Sequence, residues 1–504
     1  MSRKARSPRA WPLLLATGLV EILALSGILP TRTDLLHALA LPPLDLTFDV
    51  GTLLGRATGP LWFALGLVGC IAARATILCL MLGSWRRWWF ALRFELVVLV
   101  PSFLAAELAY SGQAILYSAI FWIGMAVATG VTLLAAHVPW SGTRSVLSTL
   151  GRGLLEGPRL PTVVTYLAAL GVLTILVGHG GRAGALIGVA VSAALTLATA
   201  RRLSKPAVAH NATRLGALIL VGLAVALILA TSTGVRPSSG RRAGELVVVA
   251  GIDTSSGHGS LFSLRPSSLG FSCAQTFYYS YVGPGRGSRQ AQAACPITTG
   301  SHYTRADTER SLGLLVRAFR AQVDHLTPPV TVVAHSSGAL VAWAAVSSDP
   351  GTPVRRIVML APMSDPLGYP PPGTSGRGTV GAAAMRFLVA LGNWDGFTRF
   401  NPDSPLAREL LAPSNAIPAL FGRALPPQVR ALAIPSAYDV ALFTGSRPFA
   451  LADASCAPFE SHGALATSEQ TLAQADRFLS GQPLEGCTAW ARWAASAAAG
   501  FQVP

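Results

Sequence analysis

Charged residues are scarce in this chain of 504 residues: Asp, Glu, Lys and Arg together make up 12%, whereas hydrophobic residues make up 51%. That balance excludes an ordinary soluble enzyme over the whole length. Long apolar runs follow one another up to about Val235, and beyond it short strand-like runs alternate with helical patterns. We therefore predict an all-α polytopic transmembrane domain over 1–235 and a globular domain over 236–504, which is long enough for one α/β core.

Negative charge is the scarcer sign, and the formal net charge is +16. This excess is no evidence for a nucleic-acid partner, because it is concentrated in the apolar part. Residues 1–235 hold 18 Lys and Arg against 7 Asp and Glu, whereas the rest holds 21 against 16. Loop orientation in a membrane accounts for such an imbalance. We expect the membrane, and no nucleic acid, as a partner.

Cysteine is also rare, and neither a Cys-x-x-Cys pair nor a histidine cluster occurs. We therefore expect no metal and no cofactor. Four cysteines lie in 236–504, an even number that is typical of an oxidising compartment. Proximity in the sequence favours the disulfides Cys273–Cys295 and Cys456–Cys487, although three pairings are formally open.

Seven apolar runs of the first part are long enough to cross about 30 Å of hydrocarbon. They lie near 11–30, 59–83, 88–110, 114–138, 162–180, 183–200 and 214–234. The connecting loops carry 13 basic residues on one side and three on the other. This predicts a cytoplasmic N-terminus and an extracytoplasmic C-terminal domain. Two alternatives stay open: the first run could be a cleavable signal peptide, and 162–180 with 183–200 could form one re-entrant unit, which would reverse the sidedness.

Four ionisable residues interrupt the apolar runs at similar depths, namely Glu21, Arg74, Arg93 and Glu95. Ionisable groups in lipid need partners. They either line a path for protons or substrate, or join the first three spans by ion pairs, and the second interpretation is favoured.

The second domain alternates strands and helices, which predicts a mostly parallel, doubly wound sheet covered on both faces. In the stretch TVVAHSSGALVAW a strand breaks sharply into a helix at Ser336. The residues two positions before and after it, Ala334 and Gly338, are small, as they must be if they pack against each other in a tight turn. This spacing is that of a nucleophile elbow, with alanine in place of the first glycine. Ser336 is the candidate nucleophile, and Ser337 offers its N–H to an oxyanion; an ordinary strand–turn–helix with an unrelated serine is the alternative.

A serine nucleophile needs a base, and the base needs an orienting acid. In this kind of sheet the chain order is serine, acid, histidine. Of the five histidines in the domain, three precede Ser336, and His335 adjoins it and cannot turn back onto its hydroxyl, which leaves His462. Asp439 directly follows a strand and precedes His462. Asp365 is a rival acid, and a solvated turn carboxylate is the alternative for Asp439.

Residues 244–480 resemble the α/β-hydrolase superfamily, in particular bacterial serine esterases and lipases. The resemblance rests on AHSSG, on FYYSYVGPG with Asp307 and Thr308 ahead of the elbow, and on the contexts of Asp439 and His462. It does not extend to the seven apolar runs.

This resemblance implies an α/β-hydrolase fold and acyl transfer through a serine. It assigns Ser336 as nucleophile, His462 as base and Asp439 as the group that orients His462. A second oxyanion N–H is implied in the turn after the first strand, at Ile252 or Asp253.

The resemblance also implies a cap over 364–425, between two strands of the sheet. Within it, AAAMRFLVALGNW predicts an amphipathic lid helix with apolar residues at Met385, Phe387, Leu388 and Leu391. Packing of this helix on the edge of the sheet is the alternative.

The sequence thus predicts a membrane-tethered, extracytoplasmic serine hydrolase of the esterase or lipase type. The substrate is expected to be a carboxylic ester of a lipid or of the cell envelope. Two alternatives stay open: an acyltransferase with the same triad, and a transporter or scaffold whose hydrolase domain is a non-catalytic binding module. Acyl chain, head group and oligomeric state are not determined at this level.

Overall fold

The computed structural model describes residues 8–26, 39–114, 118–141, 145–156, 160–205, 240–362, 376–394, 401–411, 416–435, 452–454, 460 and 462–484. The first part of the chain is helical. Its helices are α1 (Trp11–Leu25), α2 (Leu44–Arg56), α3 (Pro60–Met81), α4 (Trp88–Ala114), α5 (Ser118–Ala135), α6 (Val146–Glu156) and α7 (Leu160–Ser204).

Four helical segments are long and apolar enough to cross a membrane. They are Pro60–Met81, Trp85–Ala109, Ile123–Trp140 and Ala183–Ser204, and they correspond to the second, third, fourth and sixth predicted spans. The first predicted span, 11–30, is represented by the 15 residues of α1. The fifth, 162–180, is represented by the shorter apolar helix Pro161–Leu173, and the seventh, 214–234, lies outside the described residues. A bundle of seven spans is therefore not confirmed, and the sidedness stays a prediction.

Exposed tryptophans lie at both ends of this apolar region. Trp62 is exposed near the start of α3, and Trp85 and Trp89 are exposed where α3 gives way to α4. Tryptophan is enriched where a membrane meets water. The 22 residues of α3 rise by about 33 Å, which matches the thickness between two such belts.

Helix α7 has a helical backbone conformation along its whole length, but its two halves lie side by side. The Tyr166 hydroxyl is 2.8 Å from the Thr196 hydroxyl, 30 residues further along the chain, whereas a straight helix would separate them by about 45 Å. A Cβ on Gly184 would lie 3.2 Å from the Val177 carbonyl oxygen. This short distance shows that the chain turns back between these two residues. The predicted segments 162–180 and 183–200 are therefore antiparallel neighbours.

Arg74 on α3 is neutralised by two carboxylates of α2, a helix that the hydropathy pattern does not predict. Its guanidinium contacts Asp45, and Nη2 lies 2.6 Å from Asp49 Oδ2. Glu95 on α4 is fully buried and lines the same small cavity as Asp45 and Arg74. Glu21 is not among the residues that line it. Arg74 is thus ion-paired as expected, but these ion pairs join α3 to α2 and not the first three predicted spans to one another.

The second part of the chain contains a six-stranded sheet in which all neighbouring strands are parallel. Its strands are β1 (Glu245–Val249), β2 (Thr276–Tyr278), β3 (Val330–His335), β4 (Val354–Leu360), β5 (Arg430–Ile434) and β6 (Asp453–Ala454), in the order β2-β1-β3-β4-β5-β6. Every residue of β3 is buried, so both faces of the sheet are covered there, as hydrophobic strand runs predict.

Helices accompany this sheet along the chain. They are α8 (Leu312–Val323), α9 (Ser337–Ser347), α10 (Thr379–Trp394), α11 (Pro405–Leu411), α12 (Ala416–Phe421) and α13 (Glu469–Leu479). Right-handed crossovers put α8 and α9, which contact each other, on one face. The connection between β1 and β2 lies on the other face of the sheet, and helix α13 contacts this connection.

The predicted lid helix corresponds to α10. This helix is neither a free lid nor packed on the edge of the sheet. Ala382, Met385 and Val389 belong to the same buried cluster as residues of α2, α3 and α4. By contrast, Phe421 of α12 packs edge-to-face against Trp343 of α9, with ring centroids 5.5 Å apart. The cap segment therefore contacts both the apolar helices and the sheet domain.

Cys273 and Cys295 form a disulfide, with their Cα atoms 5.2 Å apart. Cys456 and Cys487 lie outside the described residues, so their pairing stays a prediction.

Candidate active site

Ser336 lies at the sharp turn between β3 and α9. Its φ and ψ angles are 55° and −126°, and a positive φ is rare for a residue with a Cβ. The surrounding structure maintains this strain: the Ser336 N–H donates to the Leu360 carbonyl of β4 at 2.9 Å. This backbone geometry is the one a nucleophile elbow requires.

Two glycines allow the elbow to lie close to the end of β1. A Cβ on Gly338 would lie 2.5 Å from the Ala250 carbonyl oxygen, and a Cβ on Gly251 would lie 2.8 Å from the Ser336 Cβ. The sequence predicts that position 338 must be small because it packs against Ala334. In the structure the backbone of the neighbouring strand β1 is what leaves no room for a side chain there.

The strand order places this elbow at a topological switch point. The chain leaves β1 towards β2 on one side, and it leaves β3 towards β4 on the other. In open parallel sheets, ligands bind in the crevice at the carboxyl ends of such a pair of strands. Ser336 follows β3 directly, and Gly251 and Ile252 are the second and third residues after β1. The candidate nucleophile and the candidate oxyanion turn therefore share one edge of the sheet.

The two candidates for the second oxyanion donor differ in availability. The Asp253 N–H donates to Thr308 Oγ1 at 3.1 Å, so it is already engaged. Among the described residues, none accepts a hydrogen bond from the Ile252 N–H. Ser337 is the first residue of α9, where the N–H has no partner inside the helix. Ile252 and Ser337 are therefore the better-placed pair of donors.

Buried tyrosines from the FYYSYVG stretch support the end of β1. The Tyr281 hydroxyl donates to the Ala250 carbonyl, and the Tyr279 hydroxyl donates to the Leu315 carbonyl at 2.9 Å. Burial keeps the pKa of Tyr281 well above its usual range, so its hydroxyl stays protonated and remains a donor. This motif thus holds the turn that carries Ile252.

His462 lies beside the residue that precedes the serine. The rings of His335 and His462 have centroids 4.6 Å apart, and His335 Nε2 donates to the His462 carbonyl at 2.8 Å. A carbonyl only accepts, so the neutral His335 ring carries its proton on Nε2. A Cβ on Gly463 would lie 3.8 Å from the Ser260 Cβ, in the loop after β1. The structure thus brings His462 to the edge of the sheet that carries Ser336.

The environment of His335 disfavours a charge. Burial, with a smaller repulsion from His462, lowers the pKa of His335 from 6.5 to about 3. The hydrogen bond to the His462 carbonyl opposes this shift without cancelling it. His335 is therefore neutral at physiological pH and acts as a fixed donor that holds the backbone of His462.

This shift predicts a loss of stability in acid. Between about pH 6 and pH 3.5 the unfolded chain binds a proton at His335 and the folded chain does not. The free energy of unfolding should therefore fall by about 1.4 kcal/mol per pH unit from this residue as pH decreases. His335→Gln should unfold with a shallower pH dependence than the natural chain when both are melted in detergent between pH 4 and pH 7. Equal slopes would contradict the assignment.

Several predicted residues lie outside the described part of the chain. They are the orienting acid Asp439, its rival Asp365, and the cysteines Cys456 and Cys487. The choice of acid therefore stays a prediction. Among the described residues, no group of three or more His, Cys, Asp or Glu side chains could hold a metal ion.

Two supporting residues are not identified from the sequence. Thr308 anchors Asp253, and its own hydroxyl donates to the Arg305 carbonyl at 2.6 Å. His335 anchors His462 over 127 residues of chain. In the sequence, Thr308 is marked only by its position ahead of the elbow, and His335 only by its adjacency to Ser336. Neither position reveals that Thr308 contacts Asp253 or that His335 contacts His462.

Comparison with models of known protein families finds no match. Comparison with curated protein sequences finds none either.

Proposed function

We propose that this protein is a membrane-tethered serine hydrolase with an α/β-hydrolase fold that cleaves a carboxylic ester of a lipid or of the cell envelope. The observation that carries the proposal is the backbone of Ser336. A serine with positive φ stands between a parallel strand and a helix, at the switch point of the sheet. His462 is the proposed base for that nucleophile, and its contact with His335, the residue before Ser336, supports this role.

In the proposed reaction, His462 accepts the proton of the Ser336 hydroxyl as Oγ attacks the ester carbonyl carbon. The negative charge that develops on the carbonyl oxygen is stabilised by the N–H groups of Ser337 and Ile252. His462 then gives the proton to the leaving alcohol, and an acyl ester on Ser336 remains. Water, deprotonated by His462, attacks the carbonyl carbon of that ester, and His462 returns the proton to Ser336 Oγ as the acid is released. Asp439 is the proposed orienting partner of His462.

Two features support a location outside the cytoplasm. The Cys273–Cys295 disulfide is typical of an oxidising compartment. The distribution of basic residues over the loops of the apolar part favours the same side for the sheet domain. Four helices long enough to cross a membrane support the tether.

Turnover of p-nitrophenyl butyrate by the full-length protein in detergent tests this proposal. We expect release of p-nitrophenol, and mass spectrometry of a rapidly quenched reaction should find butyrate attached to the peptide that contains Ser336. Butyrate attached elsewhere, or no turnover at all, would refute it. If added glycerol diverts the acyl group almost entirely into a new ester, the protein is an acyltransferase and water is not its acceptor.

A further inference from the structure

Helix α10 has two apolar faces, and the part of the chain that the structure describes covers only one of them. Ala382, Met385 and Val389 are buried. On the opposite face, at spacings of four and three residues, Phe387 is 64% exposed and Trp394 is 88% exposed. Leu391, between them, is 45% exposed. Large apolar side chains that form one continuous exposed face mark a surface with a partner.

The covered face fixes where this helix lies. It packs in one buried cluster with α2, α3 and α4, and α3 and α4 are two of the helices long enough to cross a membrane. Just before α10, the Gly376 N–H donates to the Thr58 carbonyl at 3.3 Å, two residues ahead of α3. Helix α10 therefore lies at the end of α3 that begins with Pro60.

That end of α3 exposes Leu61, Trp62 and Leu65. The exposed side of a membrane-spanning helix faces lipid, and tryptophan prefers the boundary between lipid and water. The exposed face of α10 and that of α3 are thus adjacent parts of one apolar surface. The charged residue within α10, Arg386, is paired with Asp403, with Nε 3.0 Å from Oδ1.

We propose that α10 is an interfacial membrane helix, with Phe387, Leu391 and Trp394 inserted into the lipid leaflet. The occupant of the exposed face is the acyl-chain region of that leaflet, which suits an amphipathic helix with aromatic and aliphatic residues on one side.

The position of Ile252 links this helix to the candidate active site. Ile252 packs against the core of the sheet and also against the cluster that contains Met385 and Val389. It follows Gly251, which adjoins Ser336. An ester that leaves the leaflet along α10 would therefore meet the oxyanion turn first. This second step, the delivery of a lipid ester from the membrane, rests on the proposed function.

Photo-crosslinking of the full-length protein tests the lipid contact without reference to catalysis. Benzoylphenylalanine is introduced at Phe387 or Trp394, and the protein is reconstituted in vesicles of phosphatidylethanolamine and phosphatidylglycerol. Val68, exposed in the middle of α3, is the positive control; Leu314, an exposed leucine of α8, is the negative control. We expect lipid adducts at 387 and 394 in at least about tenfold the yield found at 314.

A yield equal to that at Leu314 would overturn the proposal. A crosslink to a second copy of the chain in place of lipid would overturn it as well, because the face would then be a protein interface.

An activity measurement tests the delivery step. Phe387→Asp with Trp394→Asp should lower the ratio of turnover of a vesicle-embedded ester to turnover of a soluble short ester by about tenfold or more. Leu314→Asp should leave that ratio unchanged, and an unchanged ratio in the double variant would overturn delivery through α10. If the natural chain hydrolyses neither ester, the proposed function fails, and the crosslinking result still decides whether α10 lies in lipid.

Discussion

Replacement of Ser336 with alanine should lower ester turnover by about 10⁴-fold or more and abolish labelling by a fluorophosphonate probe. The physical reason is that the probe and the substrate both form a covalent bond with a serine Oγ that a neighbouring base has activated. Alanine removes this oxygen without adding volume to a buried turn. The measurement is in-gel fluorescence of the purified full-length protein, together with turnover of a soluble ester.

The adjacent serine provides the matched control. Ser337 is fully buried at the first position of α9, directly after the candidate nucleophile. Ser337→Ala keeps the backbone N–H that would bind the oxyanion, so it should still be labelled. Persistent labelling of Ser336→Ala, or equal loss in both variants, would show that Ser336 is not the nucleophile.

Replacement of Arg74 with leucine should strongly reduce the amount of folded protein. Arg74 is the cation that neutralises Asp45 and Asp49 in the helical bundle. Loss of one partner from a buried ion pair costs about 3–5 kcal/mol because the remaining charge has no compensation. Glu95, fully buried beside the pair, has no hydrogen-bond partner among the described residues for either carboxylate oxygen. We expect low abundance in membranes and a lower Tm in detergent.

Arg93→Leu is the matched control, because Arg93 is exposed on α4 two residues from Glu95. It should be nearly as abundant as the natural chain. Adding Asp45→Asn and Asp49→Asn to Arg74→Leu should restore part of the loss, since the unpaired charges are then removed as well. Equal abundance of Arg74→Leu and Arg93→Leu would show that the pair does not stabilise the bundle.

The sequence by itself determined the features that depend on neighbouring residues. The alternation of strand-like runs with helical patterns predicted a parallel sheet. The turn at Ser336 was also readable, because a positive φ at this residue is a demand of one short turn, whereas the small residue at position 338 is required by the backbone at the end of β1. The apolar runs predicted seven spans, and four of them correspond to helices long enough to cross a membrane among the described residues. Local sterics and hydrophobic periodicity act within a few residues, so the sequence displays them directly.

Only the tertiary structure decided which distant elements meet. The contact of Arg74 with Asp45 and Asp49, and that of His335 with His462, join residues whose partners the linear order does not specify. The same holds for α10: its amphipathic pattern required a cover for one face but did not say that α2, α3 and α4 supply it. A helix can bury the same stripe against any apolar surface, so its period fixes which side chains are buried and not what covers them. The fold decides that, because it selects the one arrangement in which all such stripes are covered together.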